Sequence, residues 1–257
     1  MEHHSVTVDP AKCVGCGLCV KVCVARHIAL EHKTARVRPG DCLLCGQCTA
    51  VCPREAVSIG GYAPEPPAPR RDVRLEPDDV LDVIRFRRTI RQFQPRAIPS
   101  DTLGRILEAG RLTHTAKNRQ DVSFVVLDRE KDRVERMAVG LFRILRPFAA
   151  LFSPMARDHP IDDHFFFFRA PIVLVVLAKD KTNGLLAAQN MEFVAEASGL
   201  GVLYSGFFTM AANASLRIRK ALGVPKGKRV AMTLVLGYPG VKFLRGTPHR
   251  ELDVTYK

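Results

Sequence analysis

Three kinds of feature are missing from this 257-residue sequence. There is no long apolar run: the longest, residues 165–178, is broken by Arg169 and Pro171, so we expect no transmembrane segment. Residues 1–9 contain no apolar stretch that could act as a secretory signal, which favours a cytoplasmic protein. No G-x-G-x-x-G motif follows a predicted strand, so a dedicated dinucleotide-binding domain of the Rossmann type is not expected.

Cysteine is absent after residue 52, and the eight cysteines before that point fall into two copies of one spacing. Each copy reads C-x-x-C-x-x-C-x-x-x-C, and Pro53 follows the second copy. Three thiolates on one tight loop can each bind one iron of a cubane, while the fourth iron must be reached from elsewhere. The spacing therefore predicts two 4Fe-4S clusters and a protein that transfers electrons. The copies consist of Cys13, Cys16, Cys19 and Cys23, and of Cys42, Cys45, Cys48 and Cys52.

Disulfides and zinc are the alternatives to clusters. A disulfide framework needs an oxidising compartment, which the missing signal does not support. Zinc sites use two C-x-x-C pairs, so the third and fourth cysteine of each copy would be surplus. Gly15, Gly17 and Gly46 also suit clusters, because a backbone that wraps closely round a cluster needs positions without a side chain.

The cysteine pattern resembles that of bacterial two-cluster ferredoxins, in which the fourth cysteine of each copy binds the other cluster. Carried over to this chain, the resemblance implies two crossed ligand sets. One set is Cys13, Cys16, Cys19 and Cys52, and the other is Cys42, Cys45, Cys48 and Cys23. Clusters of this kind are sensitive to oxygen, which suggests the cytoplasm of an anaerobic or facultative prokaryote.

A proline-rich segment divides the chain into two predicted domains. Residues 28–30 and 35–37 flank a polar turn, which predicts a hairpin between the two cysteine copies. Residues 60–71 contain four prolines and cannot form a helix or a central strand. We therefore predict a ferredoxin-type domain at 1–60, a linker at 61–74 and a larger domain at 75–257.

Helical and strand patterns alternate irregularly in the larger domain, which predicts an α+β fold with a sheet covered by helices. Buried strands are expected at residues 122–127, 172–178 and 230–236. Helices are expected from Pro77, after a Ser100 cap, over residues 185–198 and after an Asn213 cap. The basic and apolar stretch 141–168 begins with helical spacing, which fits a lid, a dimer contact or a membrane-surface helix.

Residues 85–91 contain four arginines and a hydroxyl. Guanidinium groups bind phosphates through paired donors, and a nearby hydroxyl can add another hydrogen bond. Taken alone, the stretch could also be a solvated basic helix face. The stretch resembles the R-R-S-x-R-x-F signature of the nitroreductase (flavin reductase) family, with Thr89 in place of the serine, and this favours a phosphate site.

Four further segments match that family in the same order along the chain. Residues 113–120 resemble its P-S-A-x-N-x-Q loop, with His114 at or beside the usual proline, and residues 169–171 resemble its G-A-P. Residues 187–206 resemble the helix and loop that flank the flavin, and residues 236–250 resemble its closing G-Y-P segment. The resemblance covers residues 80–257 and implies an α+β domain with a mixed sheet covered by helices.

The resemblance also implies a homodimer that holds FMN in clefts at the subunit interface. Arg87, Arg88 and Thr89 are then expected at the phosphate and ribityl chain, and Arg91 near N1 and O2, where a positive charge stabilises the reduced flavin. His114 is the candidate proton donor. The other expected contacts are Thr115, Asn118 and Gln120 on the opposite side of the flavin, the Ser205 and Gly206 backbone at N5, and Lys242 or Arg245 at the phosphate.

The formal net charge of +13 invites a nucleic-acid function. The sequence has no helix-turn-helix, zinc-finger or aromatic-rich RNA-binding signature, so that function would depend on charge alone. Two oxidised clusters on eight thiolates would add about −4, and a flavin phosphate about −1.5 to −2. We therefore expect no nucleic acid, and much of the excess to face cofactors or an acidic redox partner.

These observations predict an iron-sulfur flavoprotein oxidoreductase. Its clusters would pass single electrons from a low-potential donor, such as reduced ferredoxin or flavodoxin, to FMN, which can hold two. FMN would then reduce an organic acceptor: a nitroaromatic, a quinone or an activated alkene. In a first alternative NAD(P)H reduces FMN directly and the clusters are an electron outlet. In a second, the chain is a non-enzymatic electron carrier or redox sensor that docks to a partner.

Overall fold

The computed structural model describes residues 5–40, 42–61, 73–152 and 154–257. The chain divides into two units. The first consists of the residues up to Val73 and the short segment Thr115–Arg119, and the second of Arg74–His114 and Gln120–Lys257. Most of the linker predicted at 61–74 lies outside the described residues.

The described part of the first unit contains two antiparallel strand pairs, two short α-helices and a 3₁₀ turn at Ala116–Asn118. Strand β1 (Val6–Val8) pairs with β4 (Val57–Ile59), and β2 (Ile28–Glu31) pairs with β3 (Thr34–Val37). The β2–β3 pair confirms the predicted hairpin. Helices α1 (Leu18–Val22) and α2 (Gln47–Ala50) each begin one residue after a glycine.

Those two glycines occupy equal positions in the two cysteine copies. Gly17 and Gly46 precede α1 and α2 with φ of 74° and 73°, a left-handed backbone that glycine adopts without strain. Because each lies between the second and third cysteine of its copy, the two copies have the same local fold.

A four-stranded sheet forms the centre of the second unit. Its strands are β5 (Ser123–Leu127), β6 (Ile172–Ala178), β7 (Gly201–Tyr204) and β8 (Arg229–Gly237), in the order β5-β6-β8-β7. Neighbouring strands are antiparallel, and a parallel bridge joins Thr89 to Val202 at the β7 edge. Three of these strands confirm predicted ones, while β7 lies where the loop after a helix was expected.

Helices cover both faces of this sheet, which confirms the predicted α+β class. Strand β6 is buried along its whole length because its side chains alternate between two apolar clusters. Leu174 and Val176 pack with α4 (Ser100–Arg111) and α7 (Lys181–Ala197), and Val173 and Val175 pack on the opposite face. The other helices are α3 (Pro77–Phe86), α5 (Lys131–Ala150), α6 (Pro154–Asp158), α8 (Gly206–Ala214) and α9 (Leu216–Ala221).

Two predicted helix caps are wrong. Ser100 is the first residue of α4, with Pro99 at the cap position and no capping side chain. Asn213 lies in the last turn of α8, where its amide pairs with the backbone N–H and carbonyl of Val230 (3.0 and 2.8 Å). The cap of α9 is Ser215, whose Oγ accepts the N–H of Ile218. Asn213 has the right residue type for a cap, but β8 offers it two backbone partners.

The apolar side chains at the end of α5 are exposed. Ile144, Phe148, Leu151 and Phe152 have exposed fractions of 71, 69, 73 and 89%. Among the described residues, no helix is both long and apolar enough to cross a membrane.

Gly184 provides a test of the packing between α7 and the sheet. A methyl group at Gly184 would overlap the Cβ of Ala231 and lie 3.2 Å from the Cβ of Ala178. We expect Gly184→Ala to destabilise the protein by about 1–3 kcal/mol, because the sheet leaves no room for the methyl group. Thermal unfolding followed by circular dichroism measures the change.

Gly104→Ala is the matched control, because Gly104 is also helical but has no atom within 4 Å of the added methyl group. It should stabilise the protein by up to about 1 kcal/mol through helix propensity. Equal melting temperatures for the two variants would contradict the packing described here.

Candidate functional site

Four cysteines from distant parts of the first unit line one cavity, and the other four line a second. Cys13, Cys16, Cys19 and Cys52 surround the first cavity. Cys23, Cys42, Cys45 and Cys48 surround the second. All eight are free thiols. The structure thus brings together the two sets that the ferredoxin resemblance implied, while their function as ligands stays a prediction.

Backbone N–H groups point at several of these sulfurs. Cys23 Sγ accepts the N–H of His27 and Cys52 Sγ accepts that of Ala56, each at 3.2 Å and each four residues further along the chain. Such donors stabilise negative charge on sulfur and raise the potential of a bound cluster. Further donors are Ala35 N–H to Cys13 at 3.4 Å and Leu44 N–H to Cys42 at 3.3 Å.

The buried thiols need positive charge to ionise. Burial raises the pKa of Cys19 and Cys48, and iron would offset this effect because it binds the thiolate form. Within the described ranges, no three side chains of His, Cys, Asp or Glu are grouped to hold one metal ion. A 4Fe-4S cluster does not require such a group, since each thiolate binds a different iron. The two cavities therefore fit four-iron cages.

In the second unit, the arginine-rich segment lies along the edge of β7. Ile90 N–H donates to the carbonyl of Val202 (3.1 Å), and the Ile90 side chain is buried. A side chain at Gly201 would overlap Ile90, so glycine is required for this close approach. The contact fixes the backbone on which Arg87, Arg88 and Thr89 are mounted.

The closing segment after β8 meets the same stretch. Gln94 N–H donates to the carbonyl of Tyr238 (2.9 Å), and Gly240 N–H donates to that of Gln92 (2.7 Å). The guanidinium of Arg96 lies 3.8 Å from the centre of the Tyr238 ring. Two segments that matched the same family in sequence are therefore neighbours in space.

Arg87 and Arg88 carry buried donors without acceptors. Arg87 Nη1 donates to Glu192 Oε1 (2.7 Å) and Arg88 Nη1 to the carbonyl of Arg85 (2.9 Å). Arg87 Nε, Arg88 Nε and Arg88 Nη2 are buried and have no hydrogen-bond partner. An unsatisfied buried donor costs about 1–3 kcal/mol. An anion at this position would satisfy these donors, so the residues fit a phosphate group.

Glu192 accepts hydrogen bonds from three side chains. Besides Arg87, Gln189 Nε2 (2.7 Å) and Tyr204 OH (3.1 Å) donate to its carboxylate, which is 5% exposed. Burial, followed by the charge of Glu192, raises the pKa of Tyr204. The same two causes raise the pKa of Glu196 to about 7, against the effect of Arg87. Glu196, whose pKa is raised towards neutral, is therefore a second carboxyl close to Arg87.

Ser205 and Gly206 lie where β7 ends and α8 begins. Ser205 is buried; its N–H donates to the carbonyl of Thr233 (2.8 Å), and its Oγ donates to that of Phe166 (3.1 Å). Gly206 is exposed, so its backbone is accessible to a ligand. Strand β7 thus connects the arginine segment to the residues expected at flavin N5.

The other predicted contacts differ in their surroundings. Thr115 and Asn118 belong to the first unit, where Asn118 Nδ2 donates to the carbonyl of Leu44 (2.7 Å). Gly246 lies beside Arg88: a Cβ atom added to Gly246 would be 3.5 Å from Arg88 Nη2. The C-terminal tail is therefore close to the donors of Arg88 that have no acceptor. Exposed side chains are those of Thr89, Arg91, His114, Gln120, Lys242 and Arg245.

Sequence reasoning missed the residues that hold Arg87. Gln189, Glu192 and Glu196 follow each other at spacings of three and four on α7, among apolar residues that are buried. Two carboxylates one turn apart in a buried helix could have indicated these residues, because buried carboxylates need hydrogen-bonding or charged partners. No sequence pattern indicated Tyr204, because it lies on strand β7, which was not predicted.

Glu196 generates a prediction about pH. Its raised pKa means that the folded state keeps a proton that the unfolded chain loses, so stability falls as pH rises from 4.5 to about 7. Glu196→Gln removes this loss. Between low and high pH, we expect the free energy of unfolding of the variant to rise by about 1–2 kcal/mol relative to that of the wild type. This figure allows for solvent screening of a half-buried carboxyl.

Thermal unfolding of both proteins at pH 5.5 and pH 8 checks this expectation. The exposed Glu251→Gln is the control and should follow the wild type. The assignment would be wrong if wild type and Glu196→Gln lost stability equally between the two pH values.

Comparisons with known proteins match both parts of the chain. The model of the nitroreductase family matches residues 84–238, and that of the 4Fe-4S dicluster domain matches residues 5–53. A relative from Methanothermobacter thermautotrophicus, provisionally assigned as an NADH dehydrogenase/NAD(P)H nitroreductase, is 26% identical over 174 residues, which are 65% of this chain and 81% of the relative.

Solved structures show the same fold. The FMN-bound nitroreductase from Bacteroides fragilis has a TM-score of 0.59 and 21% identity, over 70% of this chain and 99% of its own. That from Desulfitobacterium hafniense, also with FMN, has a TM-score of 0.58 and 20% identity, over 69% and 97%. Since the family match alone spans more than half of the sequence, this chain belongs to the nitroreductase family and carries an N-terminal 4Fe-4S dicluster domain.

Proposed function

We propose that the protein is an iron-sulfur flavoprotein that passes electrons from a low-potential donor through two 4Fe-4S clusters to FMN and on to an organic acceptor. The acceptor class is a nitroaromatic, a quinone or an activated alkene. The observation that carries the flavin part is the set of three buried guanidinium nitrogens on Arg87 and Arg88 without acceptors.

Phosphate is the anion that fits these donors best. Its oxygens accept several hydrogen bonds, and guanidinium groups offer donors in a planar, paired arrangement. Glu192 holds Arg87 from one side, so the remaining donors keep their direction. The FMN-bound relatives share the fold of this unit, which makes FMN the phosphate ligand we propose.

FMN supplies the ability to take up electrons one at a time and to give up two together. The chain would contribute position and charge. Arg87, Arg88 and Thr89 would bind the phosphate end, with Lys242 or Arg245 of the tail near it. Arg91 would place a positive charge at the ring, and the exposed backbone at Gly206 would face N5.

The cysteine cavities support the cluster part of the proposal. Each gathers four thiols, with backbone N–H groups directed at several sulfurs. Clusters carry single electrons, so a ferredoxin or flavodoxin, which also carries single electrons, is the donor we propose. The excess of basic residues suits an acidic protein donor.

A second donor has support from the comparisons. The Methanothermobacter relative is assigned as using NADH or NAD(P)H. In that alternative the nicotinamide would reduce FMN directly, and the clusters would serve as an outlet for electrons.

Helix α3 supports a homodimer. It is amphipathic, yet none of its residues is buried. Leu81, Ile84 and Phe86 are 50, 44 and 52% exposed. An apolar helix face of this kind needs a partner, and we propose that a second copy of the chain supplies it, with FMN at the interface.

We also propose a location in the cytoplasm of an anaerobic or facultative prokaryote. The eight free thiols suit a reducing compartment, where disulfides are rare. Clusters of this type persist best where oxygen is low.

Arg88→Ala tests the phosphate site. The variant loses two buried donors, Nε and Nη2, so FMN affinity should fall about 10–100-fold, which corresponds to about 1.5–3 kcal/mol. Bound FMN is measured by the fluorescence of released flavin, and iron content should not change. Arg87→Ala should also lose FMN, but it leaves Glu192 buried without its ion pair, so Arg88 is the cleaner test.

Arg85→Ala is the matched control. Arg85 lies in the same basic stretch, is 58% exposed and pairs with Asp82. It should retain FMN. Full FMN retention in Arg88→Ala would place the phosphate elsewhere.

Visible spectra of the anaerobic protein test the electron path. We expect an iron-sulfur envelope and a flavin band, both bleached by reduced ferredoxin faster than by NADPH. Cys16→Ser should remove one cluster and slow the delivery of electrons from ferredoxin. Ala11→Ser, an exposed change just before the first cysteine that lines neither cavity, is the control.

Rapid bleaching of the flavin by NADPH alone would favour the second donor. Unchanged ferredoxin kinetics in Cys16→Ser would remove the cluster relay from the proposal.

A further inference from the structure

A buried carboxylate holds the turn that precedes β6. Glu135, on α5, is 1% exposed, and its Oε1 accepts the N–H groups of Phe166 (3.0 Å) and Phe167 (2.6 Å). The turn has left-handed backbone at Phe168 and Arg169, with φ of 52° and 58°. Bulky residues seldom adopt this conformation. The two hydrogen bonds to Glu135 therefore help to maintain the turn.

The second oxygen of Glu135 faces His164. Nδ1 of His164 is 3.6 Å from Glu135 Oε2, and this nitrogen is buried without a hydrogen-bond partner. The imidazole side chain is 39% exposed, so Nε2, on the other edge of the ring, is the nitrogen that can reach a ligand. Burial raises the pKa of the Glu135 carboxyl, against the effects of Phe167, Phe166 and His164. A positive charge on the His164 ring would favour the ionised form of Glu135.

Neighbouring charges are already paired. Asp163 forms an ion pair with Arg143 (2.9 Å), whose Nε donates to the carbonyl of Ile161 (3.0 Å). Asp162 Oδ1 accepts the backbone N–H of His164 (2.8 Å). The imidazole nitrogen itself has the Glu135 carboxylate as its charged neighbour.

The same turn adjoins the backbone expected at flavin N5. Ser205 Oγ donates to the carbonyl of Phe166 (3.1 Å), which connects the turn to the start of α8. The ring of Phe165 lies 6.1 Å from that of Phe207, with 30° between the planes. Phe207 follows Gly206 and is 48% exposed. His164 immediately precedes Phe165 in the chain, and this partly exposed aromatic pair suits a planar organic acceptor.

We propose that His164 donates a proton to the acceptor, and that Glu135 positions its ring. The proposal rests on the proposed FMN site. A quinone or an activated alkene takes two electrons and one proton as a hydride from reduced flavin, and then needs one more proton. The Nε2–H bond of protonated His164 breaks, and an O–H bond forms on the quinone or a C–H bond on the alkene. The acceptor is reduced, the flavin is oxidised, and the neutral imidazole regains a proton from solvent.

His164→Gln separates proton donation from electron transfer. In single-turnover reoxidation of the reduced holoenzyme, menadione takes electrons and protons, whereas ferricyanide takes electrons alone. A general acid contributes about 100-fold or more. We expect the variant to lose that factor with menadione, and to keep its rate with ferricyanide and its FMN content.

Glu135→Gln is the second variant, since its amide oxygen can still accept the two backbone N–H groups. It should slow the reaction with menadione and leave the ferricyanide rate and the FMN content unchanged, because only the position of the His164 ring is altered. The exposed His159→Gln is the control and should match the wild type.

Three results would overturn the assignment. Menadione and ferricyanide rates could fall together in His164→Gln, both could remain unchanged, or the selective loss could occur in His114→Gln instead. If the wild-type protein bound no FMN, the proposed function would fail first, and FMN content distinguishes that case.

Discussion

The edge of β7 is the constraint on which the second unit's predicted flavin contacts depend. The Ile90 N–H group is bonded to the Val202 carbonyl, and Gly201 has no side chain that would keep Ile90 away. An edge strand has unused backbone groups, and here the arginine segment takes them up. Because β7 is four residues long, the same short strand also sets the position of Ser205 and Gly206.

The buried carboxylate of Glu192 determines which guanidinium donors of Arg87 stay available for a ligand. Glu192 is 5% exposed and is satisfied by Arg87, Gln189 and Tyr204. Breaking a buried ion pair costs about 3–5 kcal/mol, so Arg87 is held firmly by one side of its guanidinium group. The Nε donor of Arg87, which has no acceptor, then keeps a fixed direction, and less conformational entropy is lost when an anion binds. The arrangement favours affinity through preorganisation.

The first unit consists largely of two copies of one local fold. Gly17 and Gly46 have nearly equal φ, and Cys23 and Cys52 accept N–H groups from equivalent positions. The β1–β4 pair joins the two ends of this unit. As a result each cavity takes three cysteines from one copy and the fourth from the other copy. One local fold used twice therefore produces two cavities that each contain four cysteines.

Local signals were enough for much of the architecture. The apolar run at 172–178 is long enough to be a buried strand wherever its neighbours lie, and the polar turn between residues 30 and 35 favours a hairpin with its own flanks. Strands β1, β4 and β7 were not predicted, since they have only three or four residues and pair with partners that are distant in the chain. The cap expected at Asn213 failed for the same reason, because β8 competes for its amide.

The candidate site also combines features that the sequence determines with features that only the tertiary structure determines. Residue types alone determined that the chain has eight thiolate donors in two copies and a cluster of arginines, because spacing and charge are properties of the sequence. Tertiary structure alone decided that Glu192 occupies one side of Arg87, that three guanidinium nitrogens are buried without acceptors, and that His164 faces Glu135. Burial and pairing join residues far apart in the chain, and no local pattern records which of them will meet.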